Sequence, residues 1–359
     1  MGLPNIEITF RARANTAMQR LLRGTVGIIL KDEFENGACE LSRAQQAAEL
    51  LPKLGADNLD HIKRAFIGNV SAPRRVVAYV LPATAADYAE ALGYMATQRI
   101  DYLVGPPDID GAGAEELAGW IKAMRSQGAT PKAVLPNEAA DDLAIINFTT
   151  EEITAGGRIY TTAEYCSRIA GLIAGTPPTM SCTHAPLPEV ERVKELGRAA
   201  MDAAVDAGQF IIYSDGTKVK AGRGVNSLVN AAQAEGLNDS FKKIKVVEIM
   251  DMIKDDIRAA AEDSYIGKYP NSYDNKCLLI AAIGNYLTAL EKDGLLQTGG
   301  SSVGIDIEAQ VRYLESQGRD TEGMSEQDIK EANTGPMVLL AATASIIDAI
   351  EDIILAMSM

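Results

Sequence analysis

Between Arg75 and Phe148 the chain sets short apolar runs between amphipathic ones, and this alternation limits the folds open to it. Arg75 to Leu81, Ile100 to Val104, Lys132 to Leu135 and Leu143 to Phe148 are apolar on both faces. A strand without a polar face must be covered on both sides. The intervening segments supply the cover: a helix that Thr84 caps and that ends near Gln98, and another from Ala114 to Ser126. Strand, helix, strand in that order is the pattern of a parallel sheet between helices, so the fold class is α/β. Upstream, Thr25 to Leu30 reads as a buried strand, Ser42 as the cap of a helix from Arg43 to Leu51, and Asp57 to Ile67 as a second helix. Downstream come a helix from Thr162 to Ala174 and one from Glu189 to Ala207 behind Pro186 and Pro188. Gln209 to Tyr213 and Lys218 to Lys220 flank the turn Asp215-Gly216 as a hairpin.

The texture changes after Phe241. Ile244 to Ile249 alternates as a strand, followed by a helix from Asp251 to Ala261 with Met252, Ile253, Ile257 and Ala260 on one face. Lys276 to Lys292 is a helix capped by Asp274 or Asn275. Gln297 to Val303 is a loop, Ile305 to Leu314 a partly alternating strand, and Met324 to Glu331 a short acidic helix or turn.

The two ends pose a different question. Ile353, Leu355 and Met357 alternate with Ile354, Ala356 and Ser358; Ile6, Ile8 and Phe10 alternate with Glu7, Thr9 and Arg11. Chain ends fray unless something ties them down. An apolar strand at each end either pairs within its own chain or is donated to a neighbour, where main-chain hydrogen bonds hold it. Donation from each copy to the next builds a polymer.

A chain of 359 residues is long enough for a sizeable core and two domains. Its formal charge of −15 argues against generic binding to nucleic acid or to an anionic membrane; it either steers a basic partner or, the simpler reading, keeps the protein soluble. Cys39, Cys166, Cys182 and Cys277 are scattered without a CxxC pair, which suits a reducing cytoplasm. Met1 to Arg20 lacks an apolar signal core, and no apolar run reaches the length of a membrane helix.

Catalytic signatures are absent or broken. Asp108 and Asp110 resemble the start of a calcium loop, but Ala112 stands at the next ligand position; a glycine-rich turn capping the following helix is the simpler reading. Gly300 to Gly304 matches G-x-S-x-G without the strand before it and helix after it. The histidines are His61, on what reads as a solvated helix face, and His184, beside Cys182 in a proline-rich loop. C-x-H supplies too few ligands for zinc. The AGRG run around Gly222 and Gly224 is the nearest approach to a phosphate loop, and neither a Walker nor a dinucleotide fingerprint occurs. No metal, cofactor or catalytic residue is assigned.

Several segments carry a family likeness. KIKVVEIMDMIKDDI from Lys243, DSYIGKYPNSYDNK from Asp263 and IGNYLTALEKDGLL from Ile283 closely resemble the C-terminal domain of contractile tail sheath proteins, found in bacteriophages and phage-tail-like particles. AGRGVNSL before that domain, the ending IIDAIEDIILAMSM and the opening GLPNIEITF resemble the corresponding parts of the same family. The likeness spans most of the chain and is loosest over Asp32 to Ser71 and His184 to Gly208.

What the resemblance implies is mechanical. The middle domain would be a parallel-sheet, subtilisin-like fold without the protease, followed by an α+β sheath domain. The expected division is 1–22 as N-terminal arm, 23–235 as α/β domain, 236–345 as sheath domain and 346–359 as C-terminal arm. Ile6, Ile8 and Phe10 at one end, and Ile353, Leu355 and Met357 at the other, would complete a sheet in a neighbouring subunit. Gly24 and the polar run before it, and less clearly Thr343 to Ser345, would flex. Head-to-tail contacts that do not close make an open helix. The implied partners are further copies of this chain, a tail tube protein, and baseplate and tail terminator proteins, with no direct nucleic acid and no membrane insertion. Lys330 near Glu326 and Asp328, or the Arg312 and Arg319 region, are candidates to face the tube. The implied place is the tail of a virion assembled in a bacterial cytoplasm, where the sheath contracts to drive the tube through a cell envelope. Two other readings stand beside it: a cytoplasmic α/β enzyme or small-molecule binder using Gly105 to Gly113, and a static filament with the same arms.

Overall fold

The computed structural model describes residues 18–231 and 236–358. Ile6, Ile8 and Phe10 lie outside the described residues. The chain divides into two units, Leu21–Asp255 with the segment from Asp348 on, and Asp256–Ile347 with residues 18–20.

The first unit is built on seven strands. In chain order the elements are β1 (Thr25–Asp32), β2 (Gly37–Leu41), α1 (Gln46–Leu50), α2 (Ala56–Ala65), β3 (Arg75–Pro82), α3 (Ala89–Ala96), β4 (Tyr102–Val104), α4 (Gly111–Ser126), β5 (Lys132–Pro136), β6 (Ile145–Phe148), β7 (Ile153–Ala155), β8 (Arg158–Tyr160), α5 (Thr162–Ala174), β9 (Val190–Arg192), α6 (Arg198–Asp206), β10 (Gln209–Phe210), β11 (Ile212–Ser214) and β12 (Val219–Ala221). The sheet order is β10-β6-β5-β4-β1-β3-β2, parallel throughout except for the antiparallel edge strand β2. β1 lies inside the sheet, between β4 and β3, and sorts its side chains by parity. Val26, Ile28 and Leu30 enter one apolar cluster with Ile62 of α2 and Ile169 of α5; Ile29 enters the other with Leu92 and Met95 of α3 and Leu117 and Ile121 of α4. The expected parallel sheet between two helical layers is present, and β11 and β12 form the expected hairpin, except that Gln209–Phe210 of its first arm pair instead with β6 of the main sheet.

Other expectations need correction. Ser42 caps no helix: β2 runs to Leu41, and the Gln46 side chain accepts from the Ser42 and Arg43 N–H groups, so α1 begins later. Thr84 lies in a turn, and α3 starts five residues on. The helix expected over Glu189 to Ala207 splits because Val190–Arg192 finds a ladder partner in β7, and tertiary pairing outweighs local preference; α6 starts only after Gly197.

Helix α7 (Ile244–Ser264) carries the boundary between the units. Its first turns were the expected strand. Glu248, Asp251 and Asp255 stand at helical spacing and face inward, onto the amino ends of the strands. Lys132, which opens β5, pairs with Glu248 at 2.9 Å and Asp251 at 3.2 Å. Tyr102, which opens β4, donates to Glu248. Arg23, just before β1, pairs with Asp255 at 3.3 Å and Asp101 at 3.5 Å. Arg125 at the end of α4 holds Asp251.

In the second unit α8 (Tyr273–Lys292), β13 (Ser302–Ile305), α9 (Ile307–Ser316), α10 (Glu326–Glu331) and β14 (Leu340–Thr343) follow the rest of α7. Ser272, rather than Asp274 or Asn275, caps α8. The strand expected over Ile305 to Leu314 is a helix because Asp306 caps it and Gln310 and Leu314 bury one face. Ile283, Tyr286, Leu287, Leu290, Leu295 and Leu296 are buried in this unit.

Candidate functional site

The chain ends on a segment held by charge, followed by a tail that leaves its own fold. After β14, the last main-chain pairing is made by Ser345 to Ile347 along Leu295 to Gln297: Gln297 donates to Ser345 at 2.8 Å and Ile347 to Leu295 at 2.9 Å. From Asp348 the contacts are side chain to side chain. Arg223 spans both oxygens of Asp352 at 2.7 and 2.8 Å. The Thr183 hydroxyl donates to Glu351 Oε1 at 2.6 Å, and Lys243 approaches Glu351 Oε2 at 3.2 Å. Lys243 also grips Asp348.

The receptor for this segment is assembled from two runs that are short of chemistry when read alone. Gly224 donates its N–H to Thr183 Oγ1 at 2.9 Å, so the threonine passes the hydrogen bond on to Glu351. A Cβ at Gly224 would lie 2.8 Å from Cys182 Sγ, and one at Gly222 3.0 Å from Ile211 Cγ1. The AGRG run is therefore glycine-rich because its backbone packs tightly against the Ser181 to His184 loop, which leaves Arg223 free to reach Asp352. Hydrogen bonding to Asp352 raises the Arg223 pKa above its ordinary value, against an opposing effect of burial. Burial by itself would lower Lys243, yet the bond to Asp348 and the charge of Glu351 carry it above the ordinary lysine value. Lys243 directly precedes α7, whose buried ion pairs fix its place.

Beyond Asp352 the side chains are uncovered. Ile353 is 81% exposed, Ile354 100%, Leu355 77% and Met357 81%. Residues 351–358 have no strand assignment, so these apolar residues do not pair within the described chain. In the second unit, β13 and β14 form a two-stranded antiparallel sheet with Ser302 opposite Thr343 and Ile305 opposite Leu340. An isolated pair of strands is marginal, and its outer edges present unpaired main-chain groups.

The remaining sequence candidates are placed as follows. Asp110 accepts from Gly113 N–H at 2.8 Å and caps α4, the turn-and-cap reading of the Gly105 to Gly113 loop. Ser301 binds Glu291, and Gly304 lies inside β13. His61 is not on a solvated face: it is fully buried, with Nε2 3.2 Å from the Gly105 carbonyl. His184 Nε2 lies 3.2 Å from the Tyr213 hydroxyl, and Cys182 is buried. Lys330 pairs with Glu326 and Arg312 with Glu308, each within its own helix. Among the described residues no group of three or more His, Cys, Asp or Glu side chains is arranged to hold a metal, and no helix is long and apolar enough to cross a membrane. The clasp around Glu351 was missed because its parts, at 181–183, 223, 243 and 348–352, are far apart in the chain and none is a motif.

Comparison with known proteins identifies what carries such a tail. Residues 82–227 match the model of the phage tail sheath protein central domain, and residues 237–359 that of the phage tail sheath C-terminal domain. The tail sheath protein of Clostridium phage phiCD119 is 38% identical over 359 residues, covering 98% of each chain. Among solved structures, the sheath tail protein of Desulfitobacterium hafniense superposes with a TM-score of 0.71 at 16% identity, over 84% of this chain and 94% of that one. The helical sheath of the anti-feeding prophage in its contracted state superposes with a TM-score of 0.72 at 14% identity, over 100% and 99%. These two share the fold; the phage relative shares the sequence along its whole length. The chain belongs to the phage tail sheath protein family, and is a structural subunit of a virion tail rather than an enzyme.

Proposed function

We propose that this subunit polymerises by exchanging terminal β-arms and that the polymer contracts. The observation that carries the reading is the run Ile353 to Met357, apolar, alternating and uncovered. Leaving such side chains in water costs about 1.5–3 kcal/mol each relative to burial. A second copy offers the cover: the outer edges of its β13–β14 pair accept added strands. On this reading Ile353, Leu355 and Met357 dock from one neighbour and Ile6, Ile8 and Phe10 from another. The division into arm (1–22), α/β domain (23–235), sheath domain (236–345) and arm (346–359) belongs to the same proposal. So does the likening of the parallel-sheet domain to a subtilisin-like fold without its protease.

Each copy donates to the next without closing, which generates an open helix. The helix surrounds a tail tube protein and ends on baseplate and terminator proteins, all assembled in a bacterial cytoplasm. Contraction is a passage between two lattices of the same subunits, with the arms keeping neighbours joined. One relative in fold is a helical sheath in a contracted state, which supports the two-lattice reading.

Electron microscopy of the purified protein, alone and with its tube protein, tests this against a chain lacking Ile353 to Met359. Wide helical tubes from the full chain, and folded monomers from the truncated one, are the expected result. Tubes from both chains would overturn arm exchange at this end. Tubes of one fixed lattice under every condition would reduce the protein to a static filament.

A further inference from the structure

We infer that residues 348–352 form a releasable latch, held by side-chain ion pairs and hydrogen bonds, that sets where the free tail begins. This rests on the arm reading above and adds its regulation. The segment on either side differs in kind. Before it, Ile347 and Ser345 are fixed by main-chain hydrogen bonds to Leu295 and Gln297. After it, residues 353–358 pair with no strand among the described residues. Within it, no apolar side chain is buried: Ile350 is 88% exposed. Among the described residues no backbone N–H or C=O of 348–352 enters a ladder with another strand.

What remains is three carboxylates against two cations and the hydroxyls of Thr183 and Ser181. Asp352 on Arg223, and Asp348 on Lys243, are partly open to water and subject to salt screening. Glu351 is the exception, with its side chain 5% exposed. Its Oε1 accepts from Thr183, but its buried Oε2 has no hydrogen bond and relies on the nearby charges of Lys243 at 3.2 Å and Arg223 Nε at 3.6 Å. A carboxylate left half-satisfied in a buried site loses part of its hydration without full return, and regains it on release. The closed latch is therefore specific in register and shallow in energy.

The consequence is length. Closed, the free tail starts at Ile353. Open, it starts at Asp348, and an extended chain adds about 3.3–3.6 Å per residue, roughly 17 Å in all. An arm seated in a neighbour thus keeps its strand while the distance to its root changes, with the latch as the reserve of chain. The AGRG run and the Ser181 to His184 loop, which no catalytic role uses, acquire a role as the seat of that reserve.

The test places a nitroxide on Ile350→Cys or on Ile354→Cys, in dilute full-length monomer with Cys39→Ser and Cys277→Ser. At about 0.01 M salt the label at 350 is expected to move several-fold more slowly than the label at 354. At about 1 M salt, where the screening length falls to about 3 Å, the two should become equally mobile. The double variant Arg223→Ala with Lys243→Ala should be equally mobile at both salts. A label at 350 as free as that at 354 in low salt overturns the latch. So does a label at 350 that stays restrained in the double variant, since another contact would then hold it. The salt series needs no change to the receptor, so a misfolded double variant does not spare the proposal. Failure of the arm reading shows separately, as tubes formed without Ile353 to Met359.

Discussion

Arg125 meets Asp251 with two parallel bonds, Nη1 to Oδ2 at 2.8 Å and Nη2 to Oδ1 at 2.9 Å, and so ties the end of α4 to α7. Asp251 is wholly buried and also faces Lys132. Burial would raise the Asp251 pKa, but Lys132 and Arg125 hold it below the ordinary carboxylate value. Removing Arg125 leaves the buried Asp251 charge offset by Lys132 alone, so Arg125→Ala should cost up to about 3 kcal/mol in urea unfolding. Its folded pKa is depressed, so the stability it lends is complete above the unfolded carboxylate value and disappears as pH falls through the folded one. Arg125→Ala should therefore lose its deficit relative to the parent protein under strong acid; a deficit constant with pH would refute the pairing.

His61 should give the fold a second, milder acid sensitivity. Its Nε2 faces the Gly105 carbonyl at 3.2 Å, while Nδ1 lies 3.1 Å from the Glu164 carbonyl, 3.3 Å from the Ser167 hydroxyl and 3.5 Å from Arg64. Both ring nitrogens face carbonyls, so a neutral ring donates to one of them, and burial with the Arg64 charge opposes the second proton. Burial, and then the Arg64 charge, push its pKa down from 6.5 to about 3. The unfolded chain binds the proton first, so stability falls with pH below 6.5, by about 1.4 kcal/mol per unit at full slope. Between about pH 6.5 and 5, above the carboxylate range, His61→Gln should flatten this slope and leave only the smaller share of His184. An unchanged slope would mean that His61 is charged in the fold.

The sequence shows the sheet plainly and the charges poorly, for one reason. Ile29 and Val77 need no partner chosen for them: any apolar strand residue must be covered, so periodicity alone places them. Charged residues are assigned to water by default. That default misplaced His61 beside Asp60, Lys63 and Arg64, and the start of α7 read as a strand because the inward pull on Glu248 and Asp251 comes from residues distant in sequence. Their true partners, Arg23, Tyr102, Arg125 and Lys132, are more than a hundred positions away. The tail was the opposite case: Ile353, Leu355 and Met357 stand out as apolar residues at an end, where nothing nearby in the chain explains them. The seat at Arg223 and Lys243 left no local trace, since an ion pair formed across the fold constrains neither spacing nor neighbours.

Helix contact sets a sharp limit at Gly171. A Cβ there would stand 1.9 Å from the carbonyl oxygen of Ala65 and 2.7 Å from its carbonyl carbon, both backbone atoms of α2. Neither moves without shifting the helix, so Gly171→Ala should cost about 3 kcal/mol or more. Gly119 in α4 is the control, with nothing within 4 Å of its Cβ position. Gly119→Ala should instead add about 0.4–1 kcal/mol by restricting the unfolded chain. Thermal unfolding of the two variants should move in opposite directions, and equal losses would show that α2 and α5 do not meet at Gly171.

The second unit offers its own measurement. Tyr286 donates to Asp256 Oδ2 at 2.7 Å, between α8 and α7, and Asp256 is fully buried. Tyr286→Phe keeps the ring and its packing and removes the donor alone. A buried acceptor deprived of one hydrogen bond costs about 1–3 kcal/mol, more when it is charged. Helix α8 carries Ile283, Leu287 and Leu290 into the same core, so its local opening reports the loss directly. Amide exchange in α8 peptides should speed up by roughly tenfold to a hundredfold, since each 1.4 kcal/mol is a factor of ten. Peptides from β1 and β4, in the interior of the parallel sheet, serve as the reference and should exchange at the parent rate. Equal acceleration in both sets would mean that Tyr286 governs global unfolding, and no acceleration in α8 would mean that the Asp256 carboxylate does not depend on the tyrosine hydroxyl.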